Sequence, residues 1–160
     1  MTQRITFVCL GNICRSPMAH VVMEAKLAEA GRGDVVVTSS GTGGWHTGEP
    51  MDHRAAATLS AAGYDPSGHV ARRFSVDEYA ENDLILVMDE QSQADVLEQS
   101  PTVAEQAKVR LFREFDPEAT EGDREVPDPW FGQNDGFATV LAMVERTCDV
   151  LVDQLAGSAR

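Results

Sequence analysis

Basic residues are scarce in this chain of 160 residues: 13 Lys and Arg stand against 26 Asp and Glu, a formal net charge of −13 at pH 7. The shortage is uneven. Residues 1–80 carry 7 basic and 8 acidic side chains, whereas residues 81–160 carry 6 and 18. A surface this acidic argues against nucleic acid and against an anionic membrane as partner, since both recruit cations. Any anion that the protein binds must therefore meet a locally positive site. Cysteine is scarce as well. Cys9, Cys14 and Cys148 do not make a disulfide framework. Long hydrophobic runs are missing: no apolar stretch approaches the ~20 residues of a membrane span. The first residues lack the basic region, apolar stretch and cleavage site of a signal peptide. These absences together point to a reducing cytoplasm, with export by a leaderless route the other possibility. No His/Cys spacing matches a metal site, so neither metal nor cofactor is expected. No internal repeat, low-complexity tract or linker divides the chain. The expectation is one domain over residues 1–160, with enough chain for a real core.

What the chain does have is concentrated near its start, in Cys9-Leu10-Gly11-Asn12-Ile13-Cys14-Arg15-Ser16-Pro17. The apolar, β-branched run Ile5-Thr6-Phe7-Val8 leads in, and a helix-like stretch leads out. Strand, tight loop and helix point backbone N–H groups at an anion. Gly11 is free to take a positive φ, and Asn12 tolerates the left-handed region better than most residues. Ser16 can cap the helix, and Pro17 suits its first turn. Cys9 falls at the strand end, and a curled loop brings the Arg15 guanidinium beside the sulfur. A thiol is a poor nucleophile until it ionises, and a helix N-terminus with a nearby arginine favours the thiolate. The planar fork of Arg15 matches phosphate oxygens. A bare Cys-x5-Arg spacing is more often a buried thiol and a surface arginine. The strand before it, Gly-Asn within it and Ser-Pro after it reverse that reading: Cys9 is the nucleophile and Arg15 the phosphate clamp.

Taken in order, the chain alternates strand and helix. Strands are predicted at 4–9, 35–38, 84–88 and 109–112. Helices are predicted at 17–30, 51–62 and 136–155, the last with Val140, Val144, Cys148, Leu151 and Leu155 on one stripe. A shorter helix over 74–80 has Ser75 as its cap, and Asp89 can cap the helix after the third strand. Residues 114–133 form a long acidic loop. The pattern predicts an α/β fold, a doubly wound four-stranded parallel sheet with helices on both faces and ligands at the strand carboxyl ends. Residues 39–44, Asp89 and the loop after the fourth strand share that end with Cys9.

Phosphoryl transfer also needs a general acid for the departing oxygen. Asp65-Pro66, Asp116-Pro117 and Asp128-Pro129 are the candidates, and most Asp-Pro pairs are simply turns. Asp128 is preferred, because Pro127 and Pro129 restrict its backbone and Trp130-Phe131 can dry the site. Leu10, Ile13, Trp45, Trp130 and Phe131 lie on three loops that the fold brings to one strand-end face, which suggests a shared apolar cleft. Cys14 is either a small residue packing the loop or a resolving thiol that traps oxidised Cys9 as a disulfide.

Residues Cys9 to Pro17 resemble the signature loop of the low-molecular-weight protein tyrosine phosphatases, in their bacterial branch, and the resemblance extends over essentially the whole chain. It implies hydrolysis of phosphotyrosine in protein substrates, and of small aryl phosphates, through a cysteinyl-phosphate. Cys9 would be the nucleophile, Arg15 the phosphate ligand and Asp128, in its late Asp-Pro motif, the general acid and then base. Inorganic phosphate would be the product and an inhibitor, and a monomer is expected. The family loop carries over as Leu10, Gly11, Asn12, Ile13, Cys14 and Ser16, with Asn12 shaping the loop and Ser16 stabilising the thiolate. Ser40 and His69 resemble the polar network that holds Asn12. The two tyrosines that often follow the family's Asp-Pro are Trp130 and Phe131 here, so control by phosphorylation at those positions is lost. A protein-arginine phosphatase branch carries Thr where this chain has Ile13, which implies a preference here for phosphotyrosine. Arsenate reduction on the same fold needs a further cysteine pair, which is missing. A phosphoprotein-binding module would not need Asp128.

Overall fold

The computed structural model describes residues 2–131 and 135–158. Four strands form one parallel sheet: β1 (Gln3–Cys9), β2 (Val35–Gly41), β3 (Leu84–Val87) and β4 (Val109–Leu111), in the order β2-β1-β3-β4. β1 lies between β2 and β3, with Cys9 opposite Gly41 and Val8 opposite Val87. The helices are α1 (Arg15–Glu29), α2 (His53–Ala61), α3 (Glu78–Glu81), α4 (Glu90–Glu98), α5 (Val103–Gln106) and α6 (Asp135–Ser158).

Alternation along each strand separates two cores. Ile5 and Phe7 of β1 and Leu86 of β3 face α1, α2 and α6, packing with Met18, Val22, Leu59, Phe137 and Val144. Val8 of β1 and Ile85 and Val87 of β3 face the other way, towards Tyr79 of α3 and Val96 of α4. A sheet buried on both faces carries continuous apolar runs, which is how β3 reads. The stripe predicted for the last helix is buried as a unit, Cys148 included.

The chain runs from β1 outward to β2, then returns past β1 to β3. The carboxyl end of β1 therefore lies at the reversal of strand order, where such sheets bind ligands. Among the described residues no helix is long and apolar enough to cross a membrane.

Several local expectations need correction. α1 starts at Arg15, so Ser16 lies inside it; Cys14 occupies the cap position and no side chain caps the helix. Gly11 does not take a positive φ; Asn12 does, at 58°. The short helix is displaced to Glu78–Glu81, and Ser75 does not cap it: its backbone N–H donates to Glu78 Oε2 at 3.1 Å. Asp89 does cap α4, accepting from the Ser92 N–H at 2.7 Å. The long loop after β4 opens and closes with 3-10 turns, Phe112–Phe115 and Pro129–Phe131. α5 carries no buried residue, so it had no apolar stripe to be read from.

Candidate active site

The loop from Cys9 to Arg15 wraps around the sulfur. Cys9 Sγ lies 2.9 Å from Ser16 Oγ and accepts from the Asn12 backbone N–H at 3.3 Å. Asn12 shapes the turn, and its buried amide is bonded on both sides. Nδ2 donates to Ser16 Oγ at 2.8 Å and to Ser39 Oγ at 3.2 Å. Oδ1 accepts from the Arg72 N–H at 3.0 Å. His69 Nε2 donates to the Asn12 carbonyl at 2.7 Å; burial holds the imidazole below its usual pKa. Asn in the left-handed region, locked by four partners, costs less than most residues there.

The missing side-chain cap has a consequence. Among the described residues, the backbone N–H groups of Gly11, Ile13 and Cys14 have no hydrogen-bond partner, and they precede the positive end of α1. This is a preformed anion cradle. Gly41 lets β2 approach it: a Cβ there would meet the Leu10 carbonyl oxygen at 2.7 Å. Thr42 and Gly43 donate to the Cys9 and Leu10 carbonyls at 2.9 Å each.

Arg15 is buried and aimed from outside the loop. Nη1 donates to Asp89 Oδ2 at 2.6 Å and to the Val126 carbonyl at 3.0 Å. Nη2 is 3.7 Å from Asp128 Oδ2. Burial opposes the guanidinium charge, but Cys9 and Asp89 outweigh it and raise the Arg15 pKa. Asp89 is itself held below the usual carboxylate range; burial works against this, and Arg15 and the Ser92 N–H outweigh it. Val126 anchors the late loop by donating to the Met88 carbonyl at 2.7 Å. That bond brings Asp128, two residues on, to the cleft that Cys9 lines.

The structure separates the three Asp-Pro pairs. Asp128 lines a cleft of about 200 Å³ together with Cys9, Cys14 and Arg15. Asp65 is exposed and closes a turn on Ser67. Asp116 is buried in an ion cluster, with Arg113 Nε and Arg146 Nε each at 2.8 Å. Leu10, Ile13, Trp45 and Trp130 line the same cleft, with Trp45 largely exposed and Ile13 buried. The side chain of Phe131 lies outside the described residues.

Ser40 is corrected. The hydroxyl on the Asn12 amide is that of Ser39, while Ser40 Oγ is buried with no partner among the described residues and its carbonyl takes part instead, accepting weakly from Ser16 Oγ at 3.4 Å. The reason is strand alternation. Ser39 shares its face of β2 with Val35 and Val37, on the side of α1 and the Asn12 amide, and Ser40 faces the other way. Three contributors had no assigned role: Asp89 beyond its cap, the Val126 carbonyl, and His46, which lines the cleft with Nδ1 3.0 Å from Glu49 Oε2. The position of Asp89 at a strand end was the one available signal. Among the described residues no group of three His, Cys, Asp or Glu is placed to hold a metal ion.

This geometry can hold a tetrahedral oxyanion on N–H groups and a guanidinium, with a thiol and a carboxyl lining the same cleft. The model of the low molecular weight phosphotyrosine protein phosphatase family matches residues 4–160. The chain is 46% identical to the low molecular weight protein-tyrosine-phosphatase of Streptomyces coelicolor, over 99% of both chains. It is 42% identical to low molecular weight protein-tyrosine phosphatase A of Mycobacterium tuberculosis, over 93% of this chain and 89% of that one. A protein tyrosine phosphatase crystal structure from Entamoeba histolytica superposes with a TM-score of 0.92 at 28% identity, covering 99% of this chain and 100% of that one. The chain belongs to the low molecular weight phosphotyrosine protein phosphatase family.

Proposed function

We propose that this protein hydrolyses phosphotyrosine in protein substrates, and small aryl phosphates, in two steps. The observation that carries the reading is a single cleft in which Cys9, Arg15 and Asp128 converge on a loop of unpaired N–H groups. The phosphate oxygens take the loop N–H groups and Arg15. Cys9 Sγ attacks phosphorus in line with the ester oxygen. The P–O bond breaks as the S–P bond forms, and Asp128 gives its proton to the leaving phenol. Asp128, now a carboxylate, takes a proton from water as that water attacks phosphorus. Inorganic phosphate leaves, Cys9 is restored, and phosphate acts as a competitive inhibitor. A monomer in a reducing cytoplasm suits three free thiols. Turnover of an aryl phosphate, inhibited by added phosphate, is the direct test.

The cleft walls argue for an aromatic ester. Leu10, Ile13, Trp45 and Trp130 offer hydrocarbon to a flat ring and little to a short seryl chain. A phosphoarginine guanidinium beside Ile13 would leave donors unpaired, at about 1–3 kcal/mol, up to roughly a hundredfold. Phosphotyrosine peptides are therefore expected to exceed matched phosphoserine, phosphothreonine and phosphoarginine peptides in kcat/KM. Ile13→Thr should erode the discrimination against phosphoarginine. Equal values for phosphotyrosine and phosphoserine in the wild type would remove the aromatic-cleft reading.

Cys14 lies on the same loop, buried, and that burial pushes its thiol pKa far up. Cys14 is thus a thiol that gives up its proton only as its sulfur attacks an oxidised partner. Peroxide oxidises the Cys9 thiol to a sulfenic acid with release of water; the Cys14 sulfur would then attack the Cys9 sulfur, and its proton would leave with the displaced hydroxyl as a second water as the disulfide forms. Mild peroxide should inactivate the enzyme, and a thiol reductant should restore it. Mass spectrometry should find a Cys9–Cys14 crosslink. In Cys14→Ser the loss should become irreversible; full recovery of that variant would count against a protective thiol.

A further inference from the structure

Arg54 has no role in the steps above, yet it stands between the two halves of the site. Asp52 caps α2, its Oδ1 accepting from the N–H groups of Arg54 at 2.8 Å and Ala55 at 3.2 Å. The backbone N–H of Asp52 donates to the Ile13 carbonyl of the phosphate loop at 2.9 Å. The Arg54 guanidinium folds back onto the same carboxylate, Nε to Oδ1 and Nη2 to Oδ2, both at 3.3 Å. Its carbon lies 5.1 Å from the Trp130 ring centroid and 4.8 Å from that of Phe137. Nη1 donates to the Trp130 carbonyl at 3.4 Å, and the Trp130 N–H donates to Asp128 Oδ1 at 3.0 Å. An unbroken path thus runs from the Ile13 carbonyl through Asp52, Arg54 and Trp130 to the Asp128 carboxyl.

We propose that Arg54 is a positioning residue for the general acid: it clips the Asp128–Trp130 turn to the phosphate loop and so fixes the Asp128 carboxyl in the cleft that Cys9 lines. This rests on Asp128 being the acid of the proposed reaction. The guanidinium suits the task because one planar group stacks on a ring and donates to a carboxylate and a carbonyl at once; lysine keeps the charge but not the fork. Small displacements of a catalytic group are costly, about a hundredfold for 1 Å.

The test uses Arg54→Met and Arg54→Lys on aryl phosphates of rising leaving-group pKa, alone and combined with Asp128→Ala. Arg54→Met is expected to lose about tenfold in kcat on the poorest leaving groups, with the loss fading on the best ones. The phosphate inhibition constant should stay within about twofold, since the loop itself is untouched. In the Asp128→Ala background the same substitution should change kcat by less than about twofold, because both act on one proton transfer. Arg54→Lys should lose in the same direction, and it carries the test if Arg54→Met does not fold. Wild-type rates, a loss uniform across leaving groups, or a loss that persists without Asp128 would each overturn the assignment and leave Arg54 as packing for α2. If Asp128→Ala itself shows no dependence on the leaving group, the acid assignment fails first, and that result is separable from failure of Arg54 alone.

Discussion

Cys9→Ser should abolish turnover of aryl phosphates and phosphotyrosine peptides while phosphate still binds. Loss of a nucleophile in a hydrolase can cost on the order of 10⁶-fold in kcat, because a hydroxyl is a far weaker nucleophile than the sulfur it replaces and gives up its proton less readily. The neighbours of Cys9 Sγ are Ser16 Oγ and the Asn12 N–H, which stabilise an anion rather than deprotonate an alcohol. Binding is a separate property of the loop. The N–H groups of Gly11, Ile13 and Cys14 and the Arg15 fork, aimed by Asp89 at 2.6 Å, do not depend on the sulfur. Steady-state rates and calorimetric titration with phosphate measure the two independently. Near-wild-type turnover in Cys9→Ser would end the nucleophile assignment, and lost turnover with lost phosphate binding would mean that the sulfur organises the loop.

Asp128→Ala carries the second large effect. General acid catalysis contributes ~10²–10⁴-fold, and the loss should be greatest on esters of weakly acidic alcohols and small on good leaving groups that depart unprotonated. Asp65→Ala is the matched control, an exposed turn residue outside the cleft. Asp116→Ala is no control at all. Its carboxylate holds Arg113 and Arg146 in the buried base of the same long loop, and breaking a buried pair costs about 3–5 kcal/mol. It should therefore lower stability, read as a thermal shift, before it tells anything about chemistry. A leaving-group-dependent loss in Asp65→Ala rather than Asp128→Ala would transfer the acid to the other turn.

Much of the site is legible in Cys9 to Ser16 because its geometry is local. A strand, a tight loop and a helix start follow one another within a few residues, and the sulfur, the N–H groups and Arg15 are brought together by that short stretch. Asp89 is legible in part, as a cap after an apolar run, since capping acts over three residues. The same local reasoning errs where two local options compete. Ser16 is an excellent cap by type, but its hydroxyl is drawn to Cys9 and Asn12, and the helix begins at Arg15, two residues before the Pro17 start that such a cap implies. Gly11 and Asn12 are both suited to positive φ, and the four partners of the Asn12 side chain and carbonyl select Asn12. Ser39 and Ser40 are indistinguishable by type; only the face of β2 that meets α1 tells them apart.

By itself, then, the sequence determined the alternation of strands and helices and the loop at the end of β1 with its cysteine and its arginine, because hydrophobic period, capping and turn chemistry act between near neighbours. The tertiary structure puts Asp128, already favoured by its flanking prolines and aromatics, in the cleft, and it alone decided which residue aims Arg15, which serine supports Asn12, and that Arg54 contacts both Asp52 and the Trp130 carbonyl. Those contacts join Arg15 to Asp89 and Val126, 74 and 111 residues away, and Arg54 to Trp130, 76 residues away. They exist because parallel strands in the order β2-β1-β3-β4 bring distant loops to one edge, and contacts at that separation leave no period or spacing along the chain.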